Sequence, residues 1–173
     1  DVERDERNVA MLLATVNAVN SLVSPREVTR RLVDLIVQLT SADRALLLRL
    51  EEGDALRVAM GRTREGRNVA PDEAFSHSAT ARVLDSGEAL CIVDTLQVAG
   101  RELGASVADL NLRTIMCVPL AVRGETLGVV YVDSTLANRE FGPADLAFLE
   151  AVCLQVAVTL ENNRLNRAMI EAE

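Results

Sequence analysis

The residues able to do chemistry are few and scattered. The single histidine, His77, lies in Ser76-His77-Ser78-Ala79-Thr80, three hydroxyls around one imidazole. Serine and histidine make a nucleophile only when a carboxylate orients the ring, and such a triad would have to be assembled in space. Asp94 and Asp133 close two apolar runs, Cys91-Ile92-Val93-Asp94 and Val130-Tyr131-Val132-Asp133. Carboxylates at strand ends can be catalytic, but here both read as capping or turn residues. Cys91, Cys117 and Cys153 stand far apart in apolar surroundings without CxxC spacing. That argues against a zinc site or a disulfide framework and for buried free thiols. There is no phosphate-cradling glycine loop, GxSxG or HExxH. No enzyme, metal or cofactor is expected.

Charge narrows the partners. The 173 residues carry a net charge of −8, which argues against nucleic acid or an anionic membrane. Three Phe and one Tyr are too few for stacking on single strands. All 18 basic residues are arginine; Arg62, Arg64 and Arg67 cluster in a stretch that reads as a solvated loop. No uncharged apolar run reaches the roughly 18 residues of a membrane span, so no membrane contact is expected. The charged start is unlike a signal peptide, and it lacks an initiator Met. A cytoplasmic piece of a longer protein is expected, with an output domain in the same chain.

These groups must be positioned by elements that the patterning predicts. Around residues 5–23, Val9, Leu12, Val16, Val19 and Val23 repeat at 3,4 spacing, the pattern of a helical seam. Ser24-Pro25-Arg26-Glu27 then opens a new helix with a capping box, whose face carries Val28, Leu32, Leu35, Ile36 and Leu39. "ADRALLLRLEEG" and "ALRVAMGR" read as paired strands. A loop over 62–74 follows, then a short helix from Ser76 or Ser78 to Gly87. "ALCIVD" is a short strand, and residues 95–112 are loop and short helix. "IMCVPLAVRGETLGVVYVDS" is a hairpin turning at Arg123-Gly124, apolar on both faces and therefore central. Pro119 should be unpaired or bulged. Gly142 and Pro143 open a last helix to about residue 170, apolar nearly all round to Leu160 and so buried. Leu149, Cys153, Val156, Leu160, Asn163, Arg167 and Ile170 form a second heptad-like line.

The element order, the "VPL" strand, "LGVVYVD", the Phe141-x-x-x-Asp145 opening of the last helix and "TLENNRL" resemble a GAF domain over residues 24–165. The resemblance implies an α+β, GAF/PAS-like fold. A six-stranded antiparallel sheet would have the N- and C-terminal helices on one face and short helices and loops on the other. Residues 1–23 would be an N-terminal signalling or dimerisation helix, and 166–173 the start of a C-terminal linker helix. It also implies a sensory or regulatory role in bacterial signalling proteins, by binding a small molecule, by homodimerising through terminal helices, or both. A pocket under the short helix would be lined by Ser76, His77, Ser78, Thr80, Asp94 and Arg113. The dimer seam would use Val9, Leu12, Val16, Val19, Leu160, Asn163, Arg167 and Ile170. Asn138, Phe141 and Asp145 match part of the cyclic-nucleotide motif, but Arg139 and Leu146 depart from it. A ligand-free dimerisation module is the main alternative, and a cyclic-nucleotide domain a minor one.

Overall fold

The computed structural model describes residues 24–95, 111–136 and 143–172. The expected helix over 5–23, the loop over 96–110, and Asn138, Phe141 and Gly142 lie outside the described residues.

Helix α1 spans Pro25–Thr40. It starts as its capping box dictates: the Ser24 hydroxyl accepts from the Glu27 amide at 3.3 Å, and Pro25 needs no such bond. It ends where Ser41 takes a left-handed conformation, φ 54°. Val28, Leu32 and Ile36 are buried as the pattern predicts; Val33 and Val37 join them, while Leu35 and Leu39 are only partly covered. Each full burial of such a side chain contributes about 1.5–3 kcal/mol.

The sheet comprises β1 (Arg44–Leu50), β2 (Leu56–Thr63), β3 (Leu90–Ile92), β4 (Thr114–Val122) and β5 (Glu125–Ser134). Its antiparallel order is β2-β1-β5-β4-β3. A sixth strand is not found among the described residues. The β4–β5 hairpin is central, as its two-faced apolarity requires, and divides the core in two. Ala45, Leu47, Met116, Val118, Val130 and Val132 face the long helices. Leu46, Leu48, Ile115, Cys117, Val129 and Tyr131 face the other way. Arg123 (φ 53°) and Gly124 (φ 78°) both take the left-handed region that a tight two-residue hairpin needs. Pro119 is not left out of the ladder: it pairs in register with Val129, and the irregularity follows between Leu120 and Ala121. The proline is tolerated because β3 pairs β4 only along Ile115–Cys117, so Pro119 lies beyond that ladder.

Gly128 carries the contact between β1 and β5. A β-carbon there would come within 1.9 Å of the Leu48 carbonyl oxygen, so only glycine lets the strands approach.

Helix α2 spans His77–Ser86 and helix α3 spans Pro143–Ala172. α1 packs on β1 and β2, α3 on β4, and the two helices touch each other. By length and composition alone Pro143–Asn162 could cross a membrane, with mean hydropathy 1.5. Here its Phe148, Leu149, Val152, Cys153, Val156 and Ala157 form one wall of the core. The expectation of burial all round fails: Leu154 is 63% and Val158 49% exposed, because only one side of the helix meets the sheet.

Candidate functional site

The α2 start is built on the second face of the sheet. Ser76 caps the helix, its hydroxyl accepting from the Ala79 amide at 3.3 Å, and Gly87 closes it with a bond to Val83. Ser76 is fully buried. Its backbone amide donates to the Tyr131 hydroxyl at 3.1 Å, and that hydroxyl donates to Asp133 Oδ2 at 2.6 Å. Arg44 grips the same carboxylate with two bonds, Nε to Oδ1 and Nη2 to Oδ2, both 2.8 Å. Arg44 Nη2 also donates to the Ala74 carbonyl at 2.6 Å. One polar chain thus ties the α2 start to β1 and β5.

The electrostatics follow from burial. Asp133 is 2% exposed and Arg44 15%, so the pair is desolvated and stands on its bidentate geometry. Burial pushes the Tyr131 phenol up, and the neighbouring Asp133 charge and hydrogen bond push it further, so it stays a donor. Burial alone would weaken the Arg44 charge, but the hydrogen bond and charge of Asp133 outweigh it and raise the guanidinium. Every member is engaged, which makes this a structural tie rather than a reactive centre.

The expected pocket residues fall into two groups. Ser76, His77, Ser78 and Thr80 gather at the α2 start. The Ser76 and Ser78 hydroxyls lie 3.3 Å apart, and the Thr80 hydroxyl donates to the His77 carbonyl at 3.0 Å. His77 is exposed, its ring 4.6 Å from that of Phe75, which in turn lies 5.8 Å from Tyr131. Asp94 and Arg113 instead pair with each other, Arg113 Nε to Asp94 Oδ1 at 3.0 Å. With Thr95 Oγ1 on the Leu112 carbonyl at 2.6 Å, they staple the two ends of the segment 96–110.

Beneath α2, the side chains of Leu46, Phe75, Ile115 and Tyr131 pack together. Among the described residues, open grooves lie elsewhere. One of about 560 Å³ runs past Asp34, Gln38, Arg62 and Arg64; one of about 460 Å³ passes Arg82, Asp85 and Glu88; another, about 610 Å³, lies between α3 and the end of β4.

Several readings change. Asp133 is not a turn residue but the buried acceptor of the network. Arg62 does not belong to a solvated loop: it sits in β2, nearly buried, donating to Asp34 at 2.6 Å and to Asn68 at 2.7 Å. Arg44 and Tyr131 were missed; the available signal was a charged residue opening an otherwise apolar strand and the lone tyrosine. Cys117 and Cys153 are buried and Cys91 partly so, and burial raises all three thiols, so none is poised to react. Among the described residues no cluster of His, Cys, Asp or Glu could hold a metal. Of the expected seam, Val9, Leu12, Val16 and Val19 lie outside the described residues. Leu160 is partly buried against the core, while Asn163, Arg167 and Ile170 are placed in α3 by backbone only.

Comparisons with known proteins agree with this geometry. A family model described as "GAF domain" matches residues 24–160. No curated protein matches the sequence. Among solved structures, the GAF domain of a Coxiella burnetii phosphoenolpyruvate-protein phosphotransferase superposes with a TM-score of 0.72 at 13% identity, covering 97% of this chain and 99% of that one. The GAF domain of the Acinetobacter phosphoenolpyruvate-protein phosphotransferase gives 0.66 at 17% identity, over 89% and 92%. A domain of a putative two-component sensor histidine kinase from Sinorhizobium meliloti gives 0.62 at 18%, over 86% and 98%.

Proposed function

The chain belongs to the GAF domain family, and from that premise we propose that it is the sensory or regulatory domain of a larger bacterial signalling protein. It works by taking up a small molecule at the α2 side of the sheet and passing the change to its long helices. The observation that carries this reading is the Ser76–Tyr131–Asp133–Arg44 chain. It joins the start of α2 to β1, whose opposite face carries α1, and to β5, which pairs with the β4 strand that carries α3. Displacing the α2 start therefore loads the strands on which the helices rest. Of the expected lining, exposed His77 and half-buried Ser78 are the first contacts for such a ligand, with Ser76 and Thr80 buried behind them, and a hydroxyl beside an imidazole suits a small polar metabolite. Two-fold association through the long helices is the second part of the proposal.

A thermal-shift screen of metabolites against the chain tests it. A hit should be saturable, and its shift should shrink at least about tenfold in affinity with His77→Ala, an exposed change that leaves the fold intact. If no metabolite in a broad screen shifts the transition, the sensing half of the reading fails.

The ligand-free alternative draws on one observation, the close packing of Leu46, Phe75, Ile115 and Tyr131 beneath α2. In that case the domain associates and transmits helix movement only.

A further inference from the structure

The end of α1 and the end of β2 enclose the groove of about 560 Å³, on the helix-bearing side of the sheet and away from the α2 start. Arg62, which lines it, is only 9% exposed. Its guanidinium is partly used: Nε donates to Asp34 and Nη1 to Asn68. Nη2 has no hydrogen-bond partner among the described residues, yet no side-chain nitrogen or oxygen among them is both buried and unsatisfied. Nη2 therefore reaches open space, and the open space that Arg62 lines is this groove. It lies beside Gly66, where an added β-carbon would stand 3.9 Å from it. Arg64 repeats the arrangement at the rim. Its Nε and Nη2 donate to the carbonyls of Ala42 and Ser41, and Nη1 has no partner among the described residues.

The charges around the groove do not balance. Two carboxylates serve three guanidiniums: Glu27 pairs with Arg30 and Arg31, and Asp34 is shared between Arg30 and the nearly buried Arg62. Across Pro25–Thr40 and residues 62–67 there are six arginines and three carboxylates, in a chain whose net charge is −8. The turn after β2 already favours a negative charge. The Glu65 carboxyl there is lowered by its own backbone amide, then by the Thr63 hydroxyl and the charges of Arg67 and Arg64. A neutral or cationic ligand would leave the excess positive charge unanswered. An oxyanion would meet it with charge-assisted hydrogen bonds.

We propose that this groove is a second ligand site, taking a small molecule that carries a phosphoryl or carboxylate group. Arg62 Nη2 and Arg64 Nη1 hold the anion, and Gln38 and Ser41, exposed at the end of α1, supply further donors. The volume is that of a metabolite site. The site is separate from the α2 start and does not depend on a ligand there. An anion held by Arg62 from β2 and Gln38 from α1 bridges the helix to the edge strand, so its binding fixes α1 on the sheet.

Backbone-amide NMR titrations of the chain test this. The probes are inorganic phosphate, glycerol 3-phosphate and succinate, at an ionic strength held constant with chloride. At least one probe should move the amide signals of Ser41, Thr63 and Gly66 saturably. Response to both phosphates but not to succinate assigns the phosphoryl group, and the reverse assigns the carboxylate. Gln38→Glu tethers a carboxylate where the anion sits and should weaken binding at least about fivefold, while Gln38→Lys should tighten it by a similar factor. Both change an exposed side chain, so the fold survives them. His77→Ala should leave the affinity unchanged. The proposal is overturned by the absence of a saturable shift with all three probes, by shifts that ignore the charge at position 38, or by binding that His77→Ala abolishes.

Discussion

Tyr131 is where the domain concentrates its buried polarity. Its hydroxyl is acceptor to the Ser76 amide and donor to Asp133, so Tyr131→Phe strands one partner on each side. The expected loss is about 1–3 kcal/mol, read by urea unfolding. Arg44→Met should cost more, about 3–5 kcal/mol, because it leaves the Asp133 carboxylate buried without its cation. Replacing Arg44, Tyr131 and Asp133 together by apolar residues should recover much of that loss, and failure to recover would mean that the network does more than hold α2 in place. None of this was visible residue by residue. Asp133 reads locally as the polar end of an apolar strand, and Arg44 as the polar start of another. Their meaning comes from β1 lying antiparallel to β5 with Arg44 opposite Asp133, a pairing between distant parts of the chain. Arg62 was misread for the same reason: its partner Asp34 comes from α1.

At the scale of elements, what local chemistry controls was legible. Ser24 and Ser76 cap their helices, and Arg123-Gly124 turns the hairpin, because each signal needs only its own neighbours. Arg123 holds a left-handed conformation that asparagine adopts more readily, so Arg123→Asn should stabilise the hairpin by about 0.5–1 kcal/mol, measured as a raised urea midpoint. Gly128 was not legible; within "TLGVVYVD" it looks like an ordinary weak spot in a strand. The Leu48 carbonyl explains it, and Gly128→Ala should cost at least about 2 kcal/mol or prevent folding, whereas Gly53→Ala, with open space around it, should cost less. Acid tests the α1 and β1 starts. The hydrogen bond from Arg30 holds the Glu27 carboxyl down at about 2. In Asp43 burial works against ionisation, but the bonds from the Thr135 amide and hydroxyl outweigh it and lower the carboxyl. A depressed carboxylate stabilises fully above its unfolded value and loses that contribution as pH falls through the folded one. Stability should therefore decline from about pH 4.5 towards pH 2, with a shallower decline in Asp43→Asn, followed by urea midpoints across that range.

For the whole molecule, the layering explains both what was foreseen and what was not. An antiparallel sheet apolar on both faces demands cover on both, and the two-helix layer and the α2 side supply it. The sequence of α3 reads as a helix to be buried all round because its apolar residues span its circumference to Leu160. The sheet lies on one side only, which leaves Leu154 and Val158 outward. The pocket residues were only half assembled: the hydroxyls and the imidazole meet at α2, while Asp94 and Arg113 serve the staple between β3 and β4. Sequence spacing could not separate these roles, since all six residues lie at or near the ends of elements. On the proposed reading, sensing and association use opposite faces of one sheet, joined by the Arg44–Asp133–Tyr131 tie.

Native mass spectrometry of the freshly purified chain, followed by a denaturing spectrum of the same sample, tests that assignment most directly. The account predicts a dimer carrying extra mass that is lost on denaturation, one small molecule per chain. A monomer at the bare polypeptide mass, unchanged by added metabolites, would contradict both halves of it.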